Sequence, residues 1–130
     1  MENFALFLDD LRDPPDTYCM GTIEWTVARS FAEAKRLVEE YGCPWTCSLD
    51  HDLGCRNGLL EPTGYDFAKW LVERHMDGAL EFPEDFVYTS HSANPIGRMN
   101  IINLLRSYLR MIDHPMESGP LFGPKGNTPI

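Results

Sequence analysis

The sequence lacks long apolar runs, and this limits the classes of protein to which it can belong. No stretch approaches the roughly 20 apolar residues that a membrane-spanning helix needs. The apolar run at residues 4–8 is too short for a signal-peptide core and leads directly into two aspartates. We therefore expect a cytoplasmic protein with no membrane partner.

The chain is also poor in basic residues. Its 11 lysines and arginines stand against 20 aspartates and glutamates, which gives a formal net charge of −9 at pH 7. A protein that coats nucleic acid needs a basic surface to displace counterions, so no extended nucleic-acid surface is expected. A small phosphorylated ligand, held by one arginine and a metal ion, is still compatible with this charge.

Cysteines are few, and their spacing does not define a metal site. Cys43 and Cys47, with Cys55 and His51 nearby, lack the second clean pair of cysteines or histidines that a structural zinc site uses. Cys47 also lies where a buried strand is predicted to begin. We expect these residues and Cys19 to be reduced, mostly buried thiols.

The sequence does contain an alternation of strand and helix patterns. Apolar or β-branched runs predict four strands, in FALFLDD, IEWTVARS, PWTCSLD and EDFVYTSHS. Apolar residues at helical spacing predict three helices, in SFAEAKRLVEEYG, TGYDFAKWLVERHMDG and PIGRMNIINLLRSYLRMI. This order predicts an α/β domain in which a mainly parallel sheet is covered by helices on both faces, a Rossmann-like three-layer sandwich.

The helix patterns carry their own start signals. Ser30 fits an N-cap with Glu33 as its capping-box partner, and Pro95 suits the first turn of the third helix. The side chains expected to face inward are Phe31, Ala34, Leu37, Val38 and Tyr41 in the first helix, and Phe67, Trp70, Leu71 and Met76 in the second. Trp25 and Tyr65 are also expected in the core.

We predict a single domain over residues 1–130, with its core at about residues 3–112. Residues 113–130 carry proline and glycine without periodicity, so they form either an ordered strap across the domain or a frayed tail. The proline-rich segment after the first strand and the segment HDLGCRNGLLEP after the third are predicted to be loops. The sequence does not indicate an oligomeric state.

Polar side chains follow the first and third predicted strands where each strand ends. They are Asp9, Asp10 and Arg12 after the first strand, and Asp50, His51 and Asp52 after the third. Ligands of parallel α/β sheets bind beyond the carboxyl ends of the strands, where these acids are expected to meet. Clustered carboxylates repel one another unless a hard cation neutralises them. We predict that Asp9, Asp10 and Asp50 bind Mg²⁺ or Mn²⁺, although any single aspartate would more often form a turn or a helix cap.

The fourth predicted strand ends in a series of hydrogen-bonding side chains, Thr89, Ser90, His91, Ser92 and Asn94. The hydroxyl of Ser90 or Thr89 can donate to a phosphoryl oxygen, and His91 can act as a general acid or base near neutral pH. The planar guanidinium of Arg98 suits a phosphate, although either Arg98 or Asn100 instead braces the loop.

The chain resembles the cyclic-phosphate-processing receiver domains, a divergent branch of the response-regulator receiver fold. The matching motifs are LFLDDLRDP, SLDHDLG, TGYDFAKWL and SHSANPIGRMNI, which span about residues 4–109. The resemblance implies that Asp9 and Asp10 are metal-binding acids, that Asp50 occupies the phosphoacceptor position, and that Thr89 or Ser90 is the strand-end hydroxyl. It also implies a flavodoxin-like topology and a cyclic phosphate as the substrate.

Two features depart from ordinary receivers. A proline-rich loop replaces the first crossover helix, and the fifth strand with its terminal lysine is missing, since Lys125 in GPKGN is a poor candidate. In exchange the chain offers His91 and Arg98, which ordinary receivers do not need. The resemblance therefore implies a receiver scaffold converted toward hydrolysis of a phosphoester.

Three functional hypotheses follow from these residues. The first is a metal-dependent phosphoesterase acting on a cyclic nucleotide or an RNA-type 2′,3′-cyclic phosphate. Its predicted catalytic residues are His91, Arg98, Asp50, Ser90 and His51, and its predicted ligand-binding residues are Arg12, Thr89, Ser92, Asn94, Asn100 and Asp52; Tyr18 could stack on a base. The second is a non-catalytic pseudo-receiver that binds a phosphorylated ligand or a protein partner, and the third is a true phosphoacceptor receiver.

Overall fold

Four parallel strands form the centre of the molecule. The computed structural model describes residues 3–15 and 23–118. The elements are β1 (Ala5–Leu8), β2 (Trp25–Ala28), α1 (Phe31–Tyr41), β3 (Thr46–Leu49), β4 (Cys55–Arg56), β5 (Leu59–Leu60), α2 (Gly64–Met76), β6 (Val87–Ser90), α3 (Pro95–Met111) and α4 (Pro115–Ser118). The main sheet has the strand order β2-β1-β3-β6, and every neighbouring pair is parallel. The predicted parallel α/β fold with receiver-like topology is confirmed.

The strand order also determines where the helices lie. The crossovers from β2 to β3 and from β3 to β6 step across the sheet in the same direction. Because such crossovers are right-handed, α1 and α2 must lie on the same face, and α3 joins them by packing against α2 and β6. The reverse step, from β1 to β2, is made by a connection at residues 9–24. The described long helices therefore form one layer, and the predicted second helical layer is not found among the described residues.

The core lies between this helical layer and the sheet. Leu6 and Leu8 of β1 and Leu49 of β3 are 0% exposed, and they pack in one cluster with Leu71 of α2 and Leu105 of α3. Alternate residues of the same strands point to the opposite face, since side chains alternate along a strand. That opposite face carries the side chains Phe7, Trp25, Thr46, Ser48, Val87 and Thr89, which line a cavity. Trp25, predicted to be a core residue, is among them.

The predicted helices are confirmed, with small differences at their ends. Ser30 accepts the N–H of Glu33 at 3.1 Å as predicted, but the Glu33 carboxylate accepts the N–H of Arg29 at 2.6 Å and not that of Ser30. The reciprocal capping box instead lies at the start of α2, between Thr63 and Asp66. Met76, predicted to face inward, is 64% exposed because α2 ends at that residue.

The loop predicted at HDLGCRNGLLEP contains a small hairpin of β4 and β5. Asn57 and Gly58 join the two strands with φ of 55° and 78°. Positive φ at both central residues is typical of the type I′ turn that Asn-Gly favours. The sequence therefore held a hairpin signal that the loop prediction did not use.

Part of the predicted tail is packed onto the domain. His114 is buried, with its Nε2 2.7 Å from the carbonyl oxygen of Pro83, and Tyr88 donates its hydroxyl to Glu117. Residues 113–118 thus cover the edge strand β6 at one point. Tyr18 and Lys125 lie outside the described residues.

The described cysteines are free thiols with different environments. Cys47 is fully buried, and this burial raises its pKa to about 12, whereas Cys43 is half-buried and Cys55 is exposed. The expectation of buried thiols therefore holds for Cys47 but not for Cys55. None of the described helices is long and apolar enough to span a membrane.

Candidate functional site

The site lies where β1 and β3 end side by side. Leu8 and Leu49 are register partners, so the residues that follow them, Asp9 and Asp50, emerge next to each other. The backbone pairing continues past the strands, because the N–H of Asp50 donates to Leu8 at 2.9 Å and that of Asp9 to Ala28 at 3.1 Å. These neighbouring strands feed connections that leave in opposite directions, the position at which open α/β sheets bind ligands.

Asp9 is a buried carboxylate held by several donors. Its Oδ1 accepts the N–H groups of Leu11 and Arg12, both at 2.8 Å, and its Oδ2 lies 2.9 Å from Nε2 of His91. Arg12 also brings its Nε to 3.4 Å from Oδ2. Burial alone would raise the pKa of Asp9, but the two backbone hydrogen bonds and His91 outweigh it and lower the pKa. Asp9 is therefore an anion at neutral pH.

Asp50 is in the opposite electrostatic situation. Burial, followed by repulsion from the Asp9 carboxylate, raises its pKa, although hydrogen bonds from the backbone of His51 and the hydroxyl of Ser92 act against the rise. The fold thus keeps two carboxylates close together at a cost in stability. A bound cation would remove that repulsion, so the arrangement is more typical of a ligand site than of a structural cap.

His91 connects this acid pair to the side chains of the sheet face that lies opposite the helices. Its Nε2 contacts Asp9, its Nδ1 lies 2.8 Å from Oγ of Ser48, and its ring stacks on Phe7 with centroids 4.3 Å apart. A proton on Nε2 satisfies the carboxylate, which leaves Nδ1 to accept the hydroxyl of Ser48. Sequence reasoning missed Ser48. The signal available was its place in β3, two residues before Asp50 and therefore on the same face.

The potential metal ligands are not quite the predicted set. Asp9, Asp50 and His91 each offer an atom within 4.8 Å of the others, and they form the one such group found among the described residues. The two carboxylates suit a divalent ion such as Mn²⁺ or Mg²⁺, so the acid pair fits the predicted cofactor, whereas an imidazole is not a typical ligand of Mg²⁺. Asp10 lies outside this group, and its Oδ2 is near Gly54.

A cavity of about 350 Å³ opens over the acid pair. Its described lining residues are Asp9, Asp10, Leu11, Arg12, Asp50, Asp52, Gly54, Ser92, Ala93 and Asn94. The structure thus brings together most of the acids and ligand-binding residues predicted at the ends of β1 and β3 and at the start of α3. Of these, Arg12 supplies positive charge, and it is the basic residue nearest the acids in the described lining.

His51 and Asp52 belong to a network that holds the start of α3. Nδ1 of His51 is 2.9 Å from Asp52, and the Asn94 amide donates to the other Asp52 oxygen at 3.2 Å. Asn94 also caps α3 by accepting the N–H of Gly97 at 3.0 Å. A Cβ at Gly97 would lie 2.4 Å from Cγ of His51, so the ring packs tightly against this glycine. This contact holds the start of α3 beside the cavity, which its N-cap residue Asn94 lines.

The remaining predicted site residues lie outside the described lining of this cavity. Ser90 is buried and donates its hydroxyl to the carbonyl of Leu49 at 2.7 Å, and Arg98 donates to the carbonyl of Ser92 at 3.1 Å. Arg98 therefore braces the loop, one of the two roles left open for it. Asn100 is exposed on α3. Thr89 and His91 line the other cavity, on the sheet face opposite the helices.

The comparisons with known proteins give one match. The model of a protein family described as the cyclic-phosphate processing receiver domain matches residues 4–107. This range contains every candidate site residue named above. No curated protein and no solved structure matches the chain significantly.

Proposed function

This chain belongs to the cyclic-phosphate processing receiver domains, and from that premise we propose that it is a metal-dependent phosphoesterase that opens a cyclic phosphodiester. The family assignment gives a receiver domain with a role in cyclic-phosphate processing. The specific reaction is inferred from the site. The single observation that carries it is the convergence of Asp9, Asp50 and His91 within 4.8 Å.

The two carboxylates would hold the cation, and the proton on Nε2 of His91 would make this ring a proton carrier beside it. A divalent ion bound there supplies Lewis-acid polarisation of a phosphoryl oxygen and neutralises the charge that develops on it. Arg12 lines the same cavity and is 55% exposed, so its guanidinium is free to turn toward a phosphate. We therefore assign the phosphoryl contact to Arg12, while Arg98 supports the loop.

Hydrolysis adds one water across one P–O bond of the ring. The water oxygen bonds to phosphorus, the ring oxygen departs, and a proton must move from the first oxygen to the second. We assign this proton transfer to His91, and the contacts of its ring with Asp9 and Ser48 support the assignment. Ser92 and the backbone of His51 hold Asp50 in position through hydrogen bonds.

A second function, binding without turnover, has one specific observation in its favour. Both ring nitrogens of His91 already have partners, Asp9 and Ser48, and this arrangement would suit a structural histidine. Calorimetry followed by recovery of the ligand separates the two functions. Unchanged nucleotide after saturation supports the pseudo-receiver, and a ring-opened product supports the enzyme. Transfer of phosphate from acetyl phosphate to Asp50 would instead support a phosphoacceptor receiver.

The direct test is turnover of 2′,3′- and 3′,5′-cyclic nucleotides by the purified protein with Mg²⁺ or Mn²⁺. We expect ring opening of at least one of them, and a loss of about 100-fold or more in kcat in His91→Ala, since general acid–base catalysis contributes about 10²–10⁴-fold. Asp50→Asn should abolish metal-dependent turnover. Asp85→Asn is the matched control, because Asp85 is exposed and precedes the opposite end of β6. Absence of turnover by the wild type, or full activity of His91→Ala, would overturn the proposal.

A further inference from the structure

The face of the sheet that lacks described helices carries a groove of about 410 Å³. Its described lining residues are Phe7, Pro15, Ile23, Trp25, Trp45, Thr46, Ser48, Val87, Tyr88, Thr89 and His91. The groove thus runs across all four strands of the main sheet. It is larger than the cavity over the acid pair, and the proposed function uses only its wall at Ser48 and His91.

The chemistry of this groove suits a flat, uncharged group. None of its described lining residues is an aspartate, glutamate, lysine or arginine. Aromatic rings contribute to its lining, with Phe7 and Trp25 in an edge contact at 5.7 Å and a half-buried Trp45 in the same lining. Aromatic side chains stack on nucleobases without regard to sequence, because every base has a π-face. The hydroxyls of Thr46 and Thr89 supply donors and acceptors for the polar edge of such a ring.

The groove is joined to the acid pair through one side chain. His91 lines the groove, and its Nε2 contacts Asp9, which lines the other cavity. Ser48 contributes to the same junction, since it lines the groove and contacts Nδ1 of His91. A ligand that bridged His91 would place one part over the sheet and its anionic part beside the carboxylates and Arg12.

We propose that this groove binds the base of a nucleotide whose cyclic phosphate lies at Asp9 and Asp50. The inference rests on the proposed function and deepens it, because it selects cyclic nucleotides over cyclic phosphates that have no base. Three observations carry it: the uncharged aromatic lining, the hydroxyls on the sheet, and the shared wall at His91. The base determines affinity and the acid pair performs the chemistry, so the two parts can be tested separately.

The three tryptophans of the chain allow a fluorescence test that reports on the groove alone. Trp25 and Trp45 line the groove, whereas Trp70 is in α2 and lines a separate cavity with Val38 and Leu80. Adenosine, which has a base and no phosphate, should quench the tryptophan fluorescence of the wild type and of Trp70→Phe. The double variant Trp25→Phe/Trp45→Phe, which keeps only Trp70, should show no quenching. Its circular dichroism and melting curve check that it is folded, and each single variant should lose part of the quenching.

Affinity gives a second readout that does not depend on fluorescence. By calorimetry, Trp45→Ala should bind adenosine and 2′,3′-cyclic AMP about 5- to 100-fold more weakly than the wild type, the range expected for loss of one stacking contact. Ethylene phosphate, a cyclic phosphodiester without a base, should have a KM at least about 10-fold above that of the cyclic nucleotide. The Trp45→Ala change should reduce that ratio.

The possible outcomes distinguish a failure of the base-binding proposal from a failure of the proposed phosphoesterase reaction. Adenosine quenching through Trp25 and Trp45 without any turnover would support the groove while the proposed phosphoesterase fails. Equal KM values for ethylene phosphate and 2′,3′-cyclic AMP would overturn the proposal that the groove binds the base, while still supporting the phosphoesterase. Quenching that survives in the double variant would also overturn it. So would tryptophan fluorescence that adenosine leaves unchanged at every concentration, the result expected if a second copy of the chain occupies the groove.

Discussion

The two faces of the central sheet are built from alternate residues of the same four strands, yet they bury different kinds of side chain. On the helical face, Leu6, Leu8 and Leu49 are 0% exposed and contact α1, α2 and α3 through one apolar cluster. On the opposite face, Thr46 and Ser48 are buried without belonging to that cluster, and Ser48 contacts His91. In each strand, the side chains that point toward the helices stabilise the fold, and those that point away from them contribute to the candidate site.

The separation continues at the strand ends. Asp9 comes two residues after Phe7, and Asp50 two residues after Ser48. Because side chains alternate along a strand, both carboxylates lie on the face opposite the helices. The helical layer contributes to the site through the first residue of α2, Gly64, which packs on the Asp50 backbone, and through the segment before α3, where Ser92 holds Asp50. Changes on the two faces should consequently have different effects, one on unfolding and the other on binding and catalysis.

The largest effect is expected from a core change on β3. Leu49→Ala removes a fully buried side chain from the helical face, so it should lower the free energy of unfolding by about 2–5 kcal/mol, measured by urea denaturation. A change at its chain neighbour Ser48, whose side chain is on the other face, serves as the comparison. Ser48→Ala should cost only about 0.5–1.5 kcal/mol, the loss of one hydrogen bond, while impairing turnover by releasing His91. Equal destabilisation by both changes would contradict the division between the faces.

Asp50→Asn should stabilise the protein while removing its function. Burial and the Asp9 carboxylate both disfavour the charge on Asp50. Without metal, the neutral amide should therefore raise the free energy of unfolding by about 1 kcal/mol at pH 7. Thermal melting in the presence of a chelator measures the change, with Asp85→Asn as control. A lower melting temperature for Asp50→Asn would show that the carboxylate is a structural group.

The pH dependence of that difference follows from the raised pKa of Asp50. A raised pKa in the folded state means that the ionised group costs stability above it, and that the cost disappears as pH falls below the unfolded value of about 3.8. The stability gap between Asp50→Asn and the wild type should thus be widest near pH 7 and narrow on acidification. A stability difference that widens toward low pH would contradict the raised pKa of Asp50.

The smallest effect is expected at the hairpin of β4 and β5, which lies outside both faces. Leu60 is 88% exposed, so Leu60→Ser should change the free energy of unfolding by no more than about 0.5 kcal/mol in the same urea experiment. A loss near that of Leu49→Ala would mean that the hairpin packs against another part of the chain or a second copy.

Much of this fold could be predicted from local sequence signals. Hydrophobic runs and helical periodicity located all four strands of the main sheet and its three long helices, because each pattern reports one buried face. The convergence of Asp9 and Asp50 also followed from the rule that parallel strands end at one edge. These predictions needed no knowledge of which side chains touch.

The rest depended on contacts between distant segments. The exchange of Asp10 for His91 in the potential metal group and the bracing role of Arg98 follow from side-chain directions that no spacing encodes. The face that lacks described helices was not predicted for another reason. Covering both faces is the general rule for parallel sheets, and the predicted loop in place of the first crossover helix was not carried through to its consequence, a second face without that helix.

Direct measurement of Mn²⁺ binding tests the central claim, that the acid pair beside His91 holds a divalent cation. Titration followed by electron paramagnetic resonance should find one bound Mn²⁺ per wild-type chain, displaced by Mg²⁺. Binding should be lost in Asp9→Asn and Asp50→Asn and kept in Asp85→Asn. Mn²⁺ that fails to bind the wild type, or that binds Asp50→Asn with unchanged affinity, would contradict the account.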